Sequence, residues 1–273
     1  MIGNKEIWIE TVDIVVCFKQ AINESEMGVD KQSGRLLLEE APTKMSEFDK
    51  NAIEEAVKMK ELHGGTVTAI TVSPVEAKKV IKEALAMGCD RAVHLADQSF
   101  VQSDTLVTAS LLAAAIRKIG SVDLILFAEG SSDIYSCQVG PSVAQLLDLP
   151  QITYANKLTF DGNKLVAERN MEEGLEVVET HLPCVVTVTN EINVPRFPTL
   201  MQIMATSKKE ILEWNAIALG FRPEQVGNQG SAIQILKIDA LTVKRKNILV
   251  DGGNDSEKAM NLAKALQKEG VIQ

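Results

Sequence analysis

The stretch Thr66–Leu95, TVTAITVSPVEAKKVIKEALAMGCDRAVHL, decides the fold. Thr66–Val72 is rich in β-branched residues and suits burial on both faces, which reads as a parallel-sheet strand. Pro74 opens a helix, since proline is tolerated in a first turn, and the helix runs to Met87 and stops at Gly88. Arg91–Leu95 is the next strand. Working outward, Val12–Phe18 is an earlier strand of the same kind, and Gly34 with residues 35–39 reads as a small hairpin excursion. Ala52, Ile53, Ala56, Val57 and Met59 mark a helix ended by His63-Gly64-Gly65, with Ser46 and Asp49 as candidate caps. A helix over Thr105–Ile119, a strand over Asp123–Ala128 and a helix over Val139–Leu149 follow. This rhythm predicts an open α/β parallel sheet with helices on both faces. Ligands in such sheets lie beyond the carboxyl ends of the strands, here in the loops after Cys17, Val72 and Ala128.

After Pro150 the pattern changes. Gln151–Phe160 and Lys164–Asn170 around Asp161-Gly162-Asn163 read as a hairpin. Leu175–Leu182 and Cys184–Thr189 are two more strands, so antiparallel sheet is expected at an edge. Beyond Met201 the signal weakens. Ser207-Lys208-Lys209 reads as solvated, Gly220–Gly230 as loop, Val243–Val250 as a strand and Asp255–Lys268 as an amphipathic helix. The last third holds few apolar residues able to pack together, so it is not expected to fold alone.

Asp and Glu total 37 against 28 Lys and Arg, a net charge of −9 with no basic block, which disfavours nucleic acid and anionic membranes. Aromatics at 4% argue against a base-stacking platform. Cys17, Cys89, Cys137 and Cys184 are far apart in apolar or helical stretches, where packed free thiols are expected rather than metal ligands or disulfides. Lys5, Glu6 and Glu10 interrupt the N-terminus, so it does not read as a signal peptide, and a cytoplasmic location without a membrane span is expected.

The chemistry concentrates in Ala128-Glu129-Gly130-Ser131-Ser132-Asp133-Ile134-Tyr135-Ser136-Cys137-Gln138-Val139-Gly140-Pro141. Small residues between a buried strand and a helix N-terminus suit a phosphate cradle; a merely polar connection is the plain alternative. Gly-Lys-Ser/Thr, GxGxxG and GxSxG are missing from it, so γ-phosphate, Rossmann-fingerprint and serine-hydrolase chemistry gain no support. Cys17 reads as a packed thiol rather than a nucleophile, His63, His94 and His181 as structural or solvated, and Asp133 as a residue that shapes its own loop. Leu200, Ile203 and Met204 read from spacing as one apolar face of a short helix.

These residues resemble the beta subunit of electron transfer flavoprotein, in particular its nitrogen-fixation-associated and bifurcating branch. The resemblance rests on Val15-Val16-Cys17-Phe18-Lys19-Gln20, on Phe48-Asp49 with Ala52-Ile53-Glu54-Glu55-Ala56, and on Ala84–Arg91. It rests further on Gly130–Asp133 with Gln138–Pro141, on Arg169–Thr187, and on Asn193–Arg196 with Thr199-Leu200. It covers nearly the whole chain; Met1–Thr11 precede the family's usual start. It implies a Rossmann-like, adenine-nucleotide alpha-hydrolase-like domain over residues 1–205 and a C-terminal arm over 206–273 that wraps an alpha subunit. By position it implies a nucleotide held by Cys17, Ser46, Phe48, Asp49, Ser73, Pro74, Ala128, Gly130, Ser131, Ser132, Asp133, Ser136, Cys137, Gln138 and Val139. Ser46 stands where many members have Asn, and Glu173 where the signature prefers Gly or Asp, at an expected hairpin tip. For Leu200 the resemblance reverses the reading from spacing: Pro195, Leu200, Ile203 and Met204 become a docking site for a partner.

The function implied is electron transfer, with FAD in this subunit and bifurcation of electrons from NADH. The alternative is a one-FAD carrier whose beta subunit binds only AMP and docks acyl-CoA dehydrogenases. Implied partners are the alpha subunit, a flavoprotein dehydrogenase or quinone oxidoreductase, and ferredoxin or flavodoxin. No acid–base or nucleophilic set of its own is expected, and the third class, a free-standing nucleotide hydrolase or sensor, lacks a catalytic constellation.

Overall fold

The computed structural model describes residues 11–30, 32–38, 40–73, 77–161, 164–238, 240 and 245–272. The chain forms two compact units, Met1–Ile238 and Asp239–Gln273. In the first, β1 (Ile14–Cys17) leads through β2 (Gln20–Ile22), β3 (Gly28–Val29), β4 (Leu36–Leu37) and β5 (Thr43–Met45) to α1 (Glu47–His63). Then come β6 (Val67–Val72), α2 (Lys78–Met87), β7 (Arg91–Leu95), α3 (Thr105–Ile119), β8 (Leu124–Ala128) and α4 (Val139–Leu147). The unit continues with β9 (Gln151–Asp161), β10 (Lys164–Met171), β11 (Gly174–His181), β12 (Cys184–Val188), α5 (Leu200–Ala205), β13 (Ile211–Trp214) and α6 (Gly227–Gly230). The second unit holds α7 (Asp255–Lys268).

The central sheet runs β11-β10-β9-β12-β8-β1-β6-β7-β13. All pairings from β9 across to β13 are parallel, while β10 is antiparallel to both β9 and β11. Alternate residues of β1 face different cores: Ile14 and Val16 pack in the cluster with Ile53, Val57 and Ile81 of α1 and α2. Val15 and Cys17 pack in the cluster with Leu111, Leu112 and Val143 of α3 and α4. Burial on both faces explains the uninterrupted apolar run of a central parallel strand. Leu124 and Leu126 of β8 are fully buried, and removing either side chain to alanine would cost about 2–5 kcal/mol. At the end of α2, Gly88 has φ +131° and lies against Val57, where an added Cβ would come within 2.8 Å of Cγ1. That position needs glycine both for its backbone and for its space.

Several expectations change. β12 is not part of the antiparallel edge; it lies between β8 and β9, parallel to both, and only β9–β11 form the antiparallel extension. β13 is an additional strand that seals the far edge against β7. Ala216 and Val226 are buried in the core as well, within the compact unit that runs to Ile238. Ser46 precedes α1 without making a side-chain cap, and Asp49 accepts from Lys19 instead. Lys209 is not simply solvated: its Nζ donates to the carbonyls of Leu85 and Cys89 at 2.8 and 2.6 Å. Residues 245–250 of the expected strand over 243–250 form none, and residues 243 and 244 lie outside the described set. Gly162 and Asn163 of the hairpin turn, Pro74 at the expected helix start, and residues 1–10 also lie outside it. The β3–β4 hairpin, the turn at Glu173 between β10 and β11, and α7 fall where expected. Among the described residues no helix is long and apolar enough to cross a membrane.

Candidate functional site

The chain order places β6 and β7 on one side of β1 and β8 on the other, so the β1/β8 boundary is the topological switch point of the sheet. A cavity of about 440 Å³ opens there. Its wall comes from Cys17, Phe18 and Lys19 after β1, Val72 and Ser73 after β6, and Asp97, Gln98 and residues 100–105 after β7. Residues 127–131, Ile134 and 136–140 around and after β8 complete it, with Asp49 of α1 and Thr108 and Leu112 of α3.

A closed circuit of hydrogen bonds builds one side of this wall. The Lys19 amide donates to Asp49 Oδ2 at 2.8 Å, and Lys19 Nζ reaches Asp133 Oδ1 at 2.7 Å. Ser131 Oγ donates to the same Asp133 oxygen at 2.7 Å. The Ser132 amide donates to the buried Ser46 hydroxyl at 3.2 Å, and Ser46 bonds to Asp49. Burial pushes the Asp49 carboxyl up to about 7, against the opposing Lys19 amide bond and charge. Burial also raises Asp133, but the bonds from Lys19 and Ser131 outweigh it and hold this carboxyl below its ordinary range. The Cys17 thiol is driven well up by burial and then by the neighbouring Asp49 charge. A thiol held protonated in this way is a packed residue rather than a nucleophile.

The other side of the wall is the loop that leads from β8 into α4. Tyr135 and Cys137 adopt left-handed backbones, φ +50° and +55°, and Gln138 follows in the right-handed region. The Tyr135 amide is already bonded to the Ser131 carbonyl, while the left-handed to right-handed step at Cys137–Gln138 is the geometry that gathers N–H groups into an anion-binding nest. Left-handed conformations at non-glycine residues cost about 1–3 kcal/mol each, and such strain gathers at functional sites. The first-turn amides of α4 have no intrahelical partner, and Gln138 makes no side-chain cap over them. Its Oε1 instead accepts from Thr105 Oγ1 at 2.8 Å, tying this loop to α3. Gly140 lets α4 start hard against the sheet, since a Cβ there would lie 2.6 Å from Thr187 Cγ2. Ser73 Oγ and Ser132 Oγ are buried without a hydrogen-bond partner. Of the two only Ser73 lines the cavity, and an orphaned hydroxyl there together with a nest and an open helix N-terminus fits a phosphorylated ligand, so these residues suit an adenine nucleotide or the ADP part of a flavin.

Of the residues expected at the site, Cys17, Asp49, Ser73, Ala128, Gly130, Ser131, Ser136, Cys137, Gln138 and Val139 line the cavity together. Ser46, Ser132 and Asp133 stand behind them in the hydrogen-bonded circuit, and Asp133 shapes its loop by accepting from the Ile134 amide. Phe48 packs on Tyr135 with ring centroids 5.4 Å apart. Pro74 lies outside the described residues. Cys17, Cys89 and Cys184 are buried, but Cys137 is half-exposed in the loop, contrary to the packed thiol expected. His94 is buried with Nε2 3.2 Å from the Ser73 carbonyl, and His63 packs edge-on to Phe160. The loop from Asp97 to Thr105 was not foreseen as wall. The rule that ligands lie beyond strand ends applies equally to Leu95, and would have found it.

The four expected docking residues lie elsewhere. Pro195 is half-buried, whereas Leu200, Ile203 and Met204 are exposed on α5, which has no buried residue. Both readings of this segment meet in α5: it is a short helix, and its apolar residues face outward.

A model of the electron transfer flavoprotein domain matches residues 35–219. An electron transfer flavoprotein subunit beta from Thermoanaerobacterium thermosaccharolyticum is 36% identical over 262 residues, covering 96% of this chain and 100% of that one. The chain belongs to the electron transfer flavoprotein beta-subunit family. The subunit CarD of a caffeyl-CoA reductase-Etf complex from Acetobacterium woodii is 34% identical, covering 95% of this chain and 99% of its own. The protein FixA of Sinorhizobium fredii is also 34% identical, covering 90% and 89%. As a beta subunit in this family, the chain has an alpha subunit as its partner and electron transfer as its role.

Proposed function

We propose that this chain is the small subunit of a heterodimeric, bifurcating electron transfer flavoprotein, and that its cavity holds an FAD through the ADP part. The reach of the cavity carries the reading. Besides the loop after β8 its wall includes Phe100, Val101, Thr105 and Leu112, and its volume of about 440 Å³ is more than a phosphate alone requires. The likeness to FixA and to a subunit of a reductase-Etf complex supports the same branch. When bound, FAD supplies the redox chemistry, taking up a hydride and releasing electrons singly.

The chain's own residues bind and orient. The nest at Cys137–Gln138 and the first amides of α4 would hold the phosphate oxygens, and the Ser73 hydroxyl, buried in the cavity wall without a partner, would bond to the ligand. Lys19 neutralises Asp133, a carboxylate that would otherwise repel a phosphate across the loop. In this reading the complex takes electrons from NADH. It divides them between ferredoxin or flavodoxin and, by way of the alpha subunit, a quinone oxidoreductase or acyl-CoA dehydrogenase. The arm expected over residues 206–273 would engage the alpha subunit, with exposed Met260 and Leu262 on α7 as its apolar contacts.

The test is coupled reduction. Ferredoxin reduction by NADH that appears only when the high-potential acceptor is present supports bifurcation; electron flow to that acceptor alone counts against it. A second reading keeps the site and changes the ligand, because the nest serves the single phosphate of AMP as well as a pyrophosphate. The subunit would then be the AMP-holding scaffold of a one-FAD carrier.

A further inference from the structure

We propose that Arg196 and Lys209 are the two fixed points of the docking helix α5, one gripping α1 and the other gripping α2. The inference deepens the docking reading and rests on it. α5 has six residues, and Leu200, Met201 and Met204 are 72%, 81% and 68% exposed. A free helix of that length is not stable in water, and none of its residues is buried. Its capping box, Thr199 with Gln202, stabilises the first turn without setting where the helix points. α5 also lies against α2, and its two ends fix the direction it takes there.

At the leading end, Arg196 lies three residues before Thr199. Its amide and Nε donate to Glu54 Oε2 at 3.0 and 2.8 Å, and Nη2 donates to Glu54 Oε1 at 3.1 Å. Nη1 and Nη2 also reach both oxygens of Glu61, at 2.6 and 3.0 Å. Glu54 is 3% exposed, a carboxylate placed in the protein interior, which is costly unless it is paired through good geometry. The planar guanidinium fork supplies that geometry and a lysine ammonium does not. Asn51 and Glu55 of the same helix secure the approach: Asn51 Nδ2 donates to the Asn193 carbonyl at 2.8 Å, and Asn193 Nδ2 donates to Glu55 Oε2 at 3.0 Å. At the trailing end, Thr206 is buried, and Lys209 Nζ donates to two carbonyls at the C-terminus of α2, Leu85 and Cys89. Cations at a helix C-terminus complement its dipole. The apolar residues of α5 are thereby presented at a fixed angle, and an ordered surface binds without first losing the entropy of ordering.

The test compares the alpha–beta heterodimer with its Glu54→Gln, Arg196→Lys, Lys209→Met and Leu200→Ala variants. Amide exchange of residues 195–206 is followed together with electron transfer to an acyl-CoA dehydrogenase at varied concentration. Glu54→Gln, Arg196→Lys and Lys209→Met are expected to speed exchange in that segment about tenfold. They should raise KM for the dehydrogenase about tenfold, with kcat and bound cofactor within twofold of the parent. Leu200→Ala should raise KM without changing exchange. Unchanged exchange and KM in all three anchor variants, with Leu200→Ala still impaired, would overturn the anchor proposal alone. Unchanged transfer in Leu200→Ala would remove the docking reading beneath it, and loss of cofactor with kcat from the anchor variants would show a general structural role instead.

Discussion

Lys19 Nζ stands 2.7 Å from Asp133 Oδ1, and through this pair the end of β1 holds the loop that follows β8. The two residues are 114 positions apart, and their contact closes the switch point from one side. Lys19→Met leaves the partly buried Asp133 carboxylate without its cation, although Asp133 keeps its bonds from Ser131 and from the Ile134 and Ile22 amides. We expect a loss of about 1–3 kcal/mol in stability and about a tenfold loss in nucleotide retention. Thermal unfolding and nucleotide content after gel filtration measure the two.

Asp49 predicts a pH dependence with a definite sign. Its folded-state value, about 7, lies above the 3.8 of an unperturbed aspartate. Between those values the folded chain binds more protons than the unfolded one, so stability falls as pH rises through the window. One such group contributes a slope of at most about 1.4 kcal/mol per pH unit. Asp49→Asn should flatten this component and make the variant more stable than the parent at pH 8. Denaturant unfolding at pH 5, 6, 7 and 8 checks it, and parallel curves for parent and variant would contradict it.

The left-handed backbone at Cys137 separates stability from binding. Cys137→Gly should stabilise the free chain by about 1 kcal/mol, since glycine adopts that conformation without strain, while keeping the nest. Cys137→Val should destabilise it by about 1–3 kcal/mol and weaken nucleotide binding, because a β-branched residue resists φ +55°. Calorimetric melting with and without AMP reads both effects.

Leu200, 72% exposed at the start of α5, should act at the partner and not at the cofactor. Leu200→Ala is expected to weaken electron delivery to the partner dehydrogenase about tenfold with flavin content unchanged, in line with the loss of an apolar anchor. Stopped-flow transfer rates decide it, and kinetics equal to the parent's would refute the docking role.

Much of this architecture is legible from local pattern. β7 and α3 match their expected limits because an apolar run bounded by Gly88, Asp104 and Gly120 leaves little choice. β12 was recognised as a strand, but its place between β8 and β9 is a matter of topology that no local pattern carries. β13 is four residues long, pairs on one side only, and follows two lysines that read as solvent-facing; one of them, Lys209, turns out to cap α2. The composition of the loop after β8 points to the cavity wall that the loop forms. Its left-handed turns at Tyr135 and Cys137 did not show, because glycine is the residue that advertises them.

The central claim concerns what the switch-point cavity holds. Co-expression with the alpha subunit, purification of the heterodimer and release of its nucleotides under denaturing conditions give the number of FAD and AMP molecules per complex. Two FAD and no AMP is the predicted result. One FAD with one AMP would contradict the flavin assignment, and a stable lone beta subunit that turns over ATP would contradict the carrier reading altogether.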